Sequence, residues 1–154
     1  MSDEQTIVIP MAESGIHAGF PSPAQDYMEG LIDLNRELVK HPTATFYGRV
    51  VGDSMIDAGV EEGDVLVIDK AIEPKEGDMA VCFLNGEFAL KFISFNDPKK
   101  PSVKASKAPV SYNILHCKDI WLLPANPKYK PIHVEEGNDF TVWGIVTYVI
   151  KKVK

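Results

Sequence analysis

Short runs of β-branched, aromatic and aliphatic residues dominate the chain from Thr43 onward. They read ATFYGRVVG, DVLVID, MAVCFL, GEFALKFISF and, near the C-terminus, DFTVWGIVTYVIKK. Gly-Asp pairs at 52–53, 63–64 and 77–78 and the Asn85-Gly86 pair separate these runs. Because Asn-Gly between two apolar runs is typical of a tight hairpin, the pattern predicts a mainly β fold with a hairpin at Asn85-Gly86.

One helix is predicted before this β region, over residues 22–40. Ser22 can cap the helix and Pro23 suits its first position. A helical spacing of i, i+4, i+7 and i+11 forms its apolar stripe of Tyr27, Leu31, Leu34 and Leu38. The helix is expected to end near Lys40, because the next residue precedes Pro42 and is forced out of helical geometry.

The first 21 residues are expected to form an extended, mobile arm ahead of a domain spanning 22–154. Residues 7–9 (Ile-Val-Ile) are suited to a short strand, but Pro10 and Gly15 should interrupt its continuation. A second irregular segment, 96–118, contains NDPKKPSVKASKAP and is expected to be an exposed cationic loop. Such a loop is either a solvated charge run or a contact site for acidic partners.

Composition restricts the class of protein. The 154 residues suffice for one hydrophobic core, and the net charge of −6 disfavours direct tight DNA binding. No apolar run approaches the roughly 20 residues of a membrane span, and the acidic start does not resemble a signal peptide. With two cysteines in no spacing motif, the chain is expected to be cytoplasmic with free thiols.

No motif for a metal or cofactor is present, so neither is expected. His116, Cys117 and His133 are candidate metal ligands only by residue type, because their spacing matches no known site. A Ser-His-Asp triad stays open, since folding brings its members together, although no histidine lies in a motif that indicates one.

The Gly52-Asp53-Ser54-Met55 segment carries the first candidate for catalysis. A serine on such a turn can present its hydroxyl away from the strand, and neighbouring backbone N–H groups can converge on an oxyanion. Most serines in Gly-Asp turns only satisfy the backbone, so the tetrapeptide alone leaves both interpretations open.

Lys91 interrupts the apolar run EFALKFI and also has two interpretations. Alternation places Lys91 on one face of a strand with Ala89 and Ile93. The lysine is then either a solvent-facing residue of an amphipathic strand or a buried amine. Burial would lower its pKa and leave a neutral amine able to act as a general base.

Several segments, taken in order, resemble the UmuD/LexA family of self-cleaving serine–lysine peptidases. They are FPSPAQDYMEGLIDLN, HPTATFYGRVVGDSMIDAGVEEGDVLVIDKAI, GEFALKFI, LLPANPKYKPIHV and the closing strand, within residues 18–149. The resemblance implies a LexA/UmuD-like β-rich peptidase domain with a short N-terminal arm and one helix. It also implies that Ser54 is the nucleophile and Lys91 the general base. The backbone N–H groups of Asp53 and Ser54 would form the oxyanion site, and the cut would fall between Ala18 and Gly19.

Only 18 residues precede the implied cleavage site, and they show no helix-turn-helix pattern, which favours the UmuD branch of the family over its repressors. This branch implies a homodimer, stimulation by a RecA filament on single-stranded DNA, and a trimmed form that joins a UmuC-like error-prone DNA polymerase in translesion synthesis. The 96–118 segment is longer than this branch leads us to expect, so partner contacts there stay open.

Three alternatives accompany this interpretation. They are a non-catalytic interaction module with the same fold, a protease acting on other proteins, and a LexA-type repressor relative. The intact residue set opposes the first, the lack of an apolar span opposes the second, and the absent DNA-binding pattern opposes the third.

Overall fold

A computed structural model describes residues 7–12, 15–20, 28–100 and 119–154. The chain divides into two compact units, 1–40 and 41–154. Among the described residues, no helix has both the length and the apolar character required to cross a membrane. The expected mainly β fold with one α-helix is confirmed, whereas the predicted division after residue 21 stays a prediction.

The first unit is a two-stranded antiparallel sheet followed by a short helix. Strand β1 (Ile9–Ala12) pairs with β2 (Met28–Ile32), and helix α1 covers only Leu34–Leu38. The predicted helix over 22–40 is therefore wrong for residues 28–33, and its beginning lies outside the described residues. Asp33 caps α1, because its side chain accepts a hydrogen bond from the amide N–H of Asn35 at 3.0 Å.

Strand pairing explains why helical spacing failed here. Residues 28–32 can form backbone hydrogen bonds with residues 9–12 only in an extended conformation. In this pairing Ile9 lies opposite Ile32 and Met11 lies opposite Gly30. Gly30 has φ = +121°, a backbone conformation that no residue of an α-helix adopts. The expected interruption at Pro10 is also wrong, because β1 continues through this residue to Ala12. Proline is tolerated in an edge strand of this kind.

The second unit is built on a seven-stranded sheet. Its strands are β3 (Thr45–Arg49), β4 (Val65–Asp69), β5 (Met79–Leu84), β6 (Glu87–Ser94), β7 (Ile120–Leu123), β8 (Ile132–Val134) and β9 (Phe140–Ile150). Their order across the sheet is β3-β4-β9-β5-β6-β7-β8, with every neighbouring pair antiparallel. Two 3₁₀ turns, Pro42–Ala44 and Ile56–Ala58, precede and follow β3.

The hairpin predicted at Asn85-Gly86 is confirmed. It joins β5 to β6, with φ of 47° at Asn85 and 89° at Gly86. Positive φ at both central residues is the geometry that matches the twist of antiparallel strands. This turn sets the register of β5 against β6 and places Lys91 opposite Ala80.

Buried apolar residues form two clusters in this unit. The first cluster comprises Val50, Met55, Val60, Leu66, Ile68 and Val81. The second cluster comprises Ala80, Cys82, Ile93, Ile120, Leu122 and Ile145. On β6, partly buried Leu90 and Phe92 pack against the first cluster, whereas Ile93 belongs to the second. Both faces of this strand are therefore covered around Lys91.

Strand pairing is incomplete at two places near this site. β7 pairs with β6 only at residues 92–94, so residues 87–91 have a strand partner on one side only within the described chain. Among the strands that the structure describes, β3 lies at the edge of the sheet and pairs with β4 alone. The open side of residues 87–91 leaves backbone groups available to a further extended chain.

Candidate active site

The structure brings Ser54 and Lys91 into direct contact. Ser54 lies in the loop after β3, Lys91 lies in β6, and the Lys91 Nζ is 2.7 Å from the Ser54 Oγ. The amine also donates to the carbonyl oxygen of Leu90 at 3.1 Å. A proton can therefore pass between the hydroxyl and the amine without movement of the backbone.

Lys91 is buried, which decides between the two interpretations left by strand alternation. Lys91 is 9% exposed, and within the described residues it has no salt-bridge partner. Burial disfavours the ammonium form and lowers the pKa of Lys91 below its ordinary value of 10.5. The lysine is thus biased towards the neutral amine.

Among the described residues, Cys82 is the ionisable group whose charge affects the pKa of Lys91. An ionised thiolate at Cys82 would raise that pKa. The cysteine is fully buried and unpaired. Burial raises the pKa of the Cys82 thiol to about 12. Because the thiol stays neutral near pH 7, it does not stabilise the ammonium form of Lys91.

The loop at residues 124–130, between β7 and β8, holds the turn that carries Ser54. The Asn126 Nδ2 donates to the Asp53 carbonyl at 2.9 Å, and the Ala125 N–H donates to the Ser54 carbonyl at 2.8 Å. The Tyr129 hydroxyl donates to the Asp53 carboxylate, which lowers the pKa of Asp53. The segment LLPANPKYKPIHV carries part of the family resemblance, but no pattern in its residue types predicts contacts with the serine turn.

The backbone N–H groups of Asp53 and Ser54 are the predicted oxyanion donors. Within the described part of the chain, the Ser54 amide donates no hydrogen bond to another protein group, whereas the Asp53 amide interacts with the carboxylate of its own side chain. The Ser54 N–H is therefore available to an incoming carbonyl oxygen, while the Asp53 N–H would have to leave its own carboxylate. The oxyanion role of both groups stays a prediction.

A cavity of about 160 Å³ opens at the Ser54–Lys91 pair. A second cavity of about 430 Å³ extends alongside it, between β3 and the singly paired part of β6. The two cavities share the lining residues Val50, Val51, Phe88, Ala89 and Leu90. The two cavities thus adjoin along these five residues and form a groove beside the serine hydroxyl, which is apolar over its larger part.

The predicted cleavage site lies in the first unit. Ala18 and Gly19 belong to the described stretch 15–20, where every residue is exposed. Ile16 is 91% exposed and Phe20 is 94% exposed. The segment is accessible as a substrate, while cleavage there stays a prediction.

Within the described residues, no group of three or more candidate metal ligands occurs. His133 contacts Asp119 at 2.7 Å and stacks on Trp121. His116 and Cys117 lie outside the described residues, as does most of the 96–118 segment.

Comparison with known proteins gives one family and several relatives of similar length. A family profile described as Peptidase S24-like matches residues 10–107. Protein SamA of Salmonella typhimurium is 37% identical over 89% of this chain and 81% of its own length. Protein ImpA of Escherichia coli is 33% identical over 99% of this chain and 90% of its own length. Protein MucA of Escherichia coli is 31% identical over 91% of this chain and 82% of its own length.

These matches agree with the resemblance drawn from the sequence segments, and that resemblance is confirmed. The family profile includes the turn of Ser54 and the strand of Lys91. With more than half of the sequence matched by the profile and nearly all of it aligned to a relative, the chain belongs to the Peptidase S24-like family.

Proposed function

We propose that this chain cleaves itself between Ala18 and Gly19, with Ser54 as nucleophile and Lys91 as general base. The observation that carries the proposal is the 2.7 Å contact between the Ser54 Oγ and the buried Lys91 Nζ. A serine hydroxyl is a weak nucleophile on its own and needs an adjacent base. A desolvated amine with a lowered pKa meets that need without a histidine.

In the first step, the neutral Lys91 Nζ takes the hydroxyl proton while the Ser54 Oγ bonds to the carbonyl carbon of Ala18. The negative charge that develops on the carbonyl oxygen is held by the backbone N–H groups of Asp53 and Ser54. Backbone N–H donors held in the turn stabilise this charge with little reorganisation during the reaction.

In the second step, the C–N bond between Ala18 and Gly19 breaks. Protonated Lys91 returns its proton to the departing amine of Gly19, which leaves Ala18 esterified to Ser54. A water molecule then attacks the ester, again with Lys91 as base, and releases the Ala18 carboxylate and the free serine.

The groove beside the serine suits the segment around the proposed cut. Small residues at Ala18 and Gly19 let an extended backbone approach the nucleophile closely. Ile16 and Phe20 flank them with exposed apolar side chains that match the lining of the groove. The backbone groups of residues 87–91 in β6 can pair with such a chain, because extended peptides bind commonly to strand edges.

The proposed biological role is that of an SOS-mutagenesis protein in the cytoplasm. Similarity to SamA, ImpA and MucA over most of the chain supports assignment to the UmuD-like branch. A RecA filament on single-stranded DNA would raise the population of the cleavable arrangement. The trimmed chain would then join a UmuC-like error-prone DNA polymerase.

Co-purification of chain 19–154 with such a polymerase, but not with other polymerases, is the result expected of this partnership.

The proposal is tested by intact-mass measurement after incubation with and without a RecA filament. The wild type is expected to lose residues 1–18, and Ser54→Ala is expected to stay intact under both conditions. Loss of the same residues from Ser54→Ala would show a contaminating protease. An uncut wild type in the presence of the filament would favour the non-catalytic interaction module instead.

We also propose that the chain forms a homodimer through the C-terminal half of β9. β5 pairs with β9 only over residues 140–145, so residues 146–150 have only β4 as a strand partner within the described chain. Tyr148, Val149 and Ile150 are 44%, 36% and 43% exposed. A two-fold axis would pair this free, apolar edge with its own copy.

Val149→Lys is expected to convert the dimer to a monomer, because the axis would bring two added lysines close together. Sedimentation equilibrium should then give the mass of one 17.0 kDa chain. The matched control is Val153→Lys, since Val153 is 95% exposed and follows the end of β9. A dimer that survives Val149→Lys unchanged would exclude this edge as the interface.

A further inference from the structure

Loop 124–130 contacts the backbone as well as the side chain of the serine turn. Asn126 is 8% exposed, and its Nδ2 donates to the Asp53 carbonyl at 2.9 Å. Its Oδ1 accepts from the Lys128 N–H at 3.0 Å, which fixes the orientation of the amide group. The Ile56 N–H also donates to the Asp53 carbonyl, at the longer distance of 3.3 Å. Asn126 therefore makes the shorter contact to this carbonyl.

A hydrogen bond to the Asp53 carbonyl has a geometric consequence for Ser54. The carbonyl of residue 53 and the N–H of residue 54 belong to the same planar peptide unit. In a trans peptide these two groups point in opposite directions, and none of the described peptide bonds is cis. Fixing the carbonyl towards loop 124–130 therefore fixes the Ser54 N–H towards the opposite side of the turn.

We infer that Asn126 is a positioning residue for self-cleavage. Its hydrogen bond to the Asp53 carbonyl orients the peptide so that the Ser54 N–H, on the opposite side, points at the oxyanion. This inference rests on the proposed function. The adjacent peptide is held in the same way, because the Ala125 N–H donates to the Ser54 carbonyl. Asn126 touches no reacting atom and acts only through the peptide it orients.

The variant Asn126→Leu tests this role, because leucine has a similar size and neither donor nor charge. Without the hydrogen bond from Asn126 to the Asp53 carbonyl, the peptide between residues 53 and 54 can rotate. The Ser54 N–H then no longer points steadily at the oxyanion. We expect the maximal self-cleavage rate to fall about 10²- to 10³-fold, the effect of losing one oxyanion donor. The pH at which the rate is half-maximal should stay at the wild-type value, because Lys91 remains buried beside Ser54.

The half-maximal pH separates positioning from general structural support. A loosened turn would admit water to Lys91 and move the midpoint towards the ordinary lysine value of 10.5. Asn126→Asp provides a second variant, because it keeps the acceptor for the Lys128 N–H but presents an oxygen to the Asp53 carbonyl. It should show the same loss of rate. Asn138→Leu is the matched control in the turn between β8 and β9, and its rate should equal that of the wild type.

The outcomes are distinct. Cleavage of Asn126→Leu at the wild-type rate would overturn the inference and leave the proposed function standing. A slower variant whose midpoint moves towards 10.5 would replace positioning by structural support and also overturn it. An uncut wild type would remove the proposed function and this inference together.

Discussion

Lys91→Met is expected to abolish self-cleavage and at the same time to make the folded protein more stable. The rate should fall at least about 10⁴-fold, because the variant loses the only base within hydrogen-bond distance of Ser54 in the described structure. The free energy of unfolding at pH 7 should rise by an amount on the order of 1 kcal/mol, the scale on which buried polar and apolar groups differ.

The two effects have one physical cause. Lys91 is buried without a salt-bridge partner among the described residues, so the folded state must either hold a desolvated ammonium or give up a proton. Methionine fills the same space with no polar atom to desolvate. It also gives up the hydrogen bond from Lys91 to the Leu90 carbonyl, which offsets part of the gain.

Intact-mass time courses measure the cleavage rate, and urea denaturation measures the free energy of unfolding. Lys75→Met is the matched control, because Lys75 lies exposed in the turn before β5. The control should cut like the wild type and change little in stability. Residual cleavage of Lys91→Met within about tenfold of the wild type would exclude Lys91 as the base.

The second large effect is a pH dependence of both cleavage and stability. Below the lowered pKa of Lys91, the neutral fraction of the amine grows with pH, so the cleavage rate should rise about tenfold per pH unit. The rate should reach its plateau below pH 10.5, the ordinary lysine value. A rate that keeps rising through pH 10.5 would indicate an ordinary, hydrated lysine.

Stability should change in the same direction. The folded state has the lower pKa at Lys91, so between that pKa and 10.5 the unfolded chain binds more protons. The free energy of unfolding contributed by Lys91 therefore rises with pH across this window and is lost as pH falls through the folded-state pKa.

Cys82 contributes with the opposite sign at higher pH. Its pKa is about 12 in the folded protein against 9.0 ordinarily, so stability from the thiol is present below pH 9.0 and lost as pH rises towards 12. Both the wild type and Lys91→Met contain Cys82, so subtracting their unfolding free energies at each pH removes the Cys82 contribution. That difference should rise with pH over the Lys91 window, and a flat difference would contradict burial of the amine.

The hydrophobic pattern by itself determined most of the second unit. Runs such as DVLVID and MAVCFL match β4 and β5, because β-branched and aliphatic residues between turn signals favour extended chain. The Asn85-Gly86 pair determined the hairpin locally, since both residues tolerate positive φ. The closing strand also agrees, with β9 at 140–150 inside the expected 139–152.

Tertiary structure decided the features that depend on distant partners. The stretch 28–32 carries helical spacing but forms β2, because residues 9–12 pair with it. Alternation along EFALKFI left the environment of Lys91 open, because apolar clusters cover both faces of β6 there. The contact of Lys91 with Ser54 spans 37 positions, and that of Asn126 with Asp53 spans 73. Periodicity is a local property of the chain, whereas these contacts exist only once the sheet has brought its strands together.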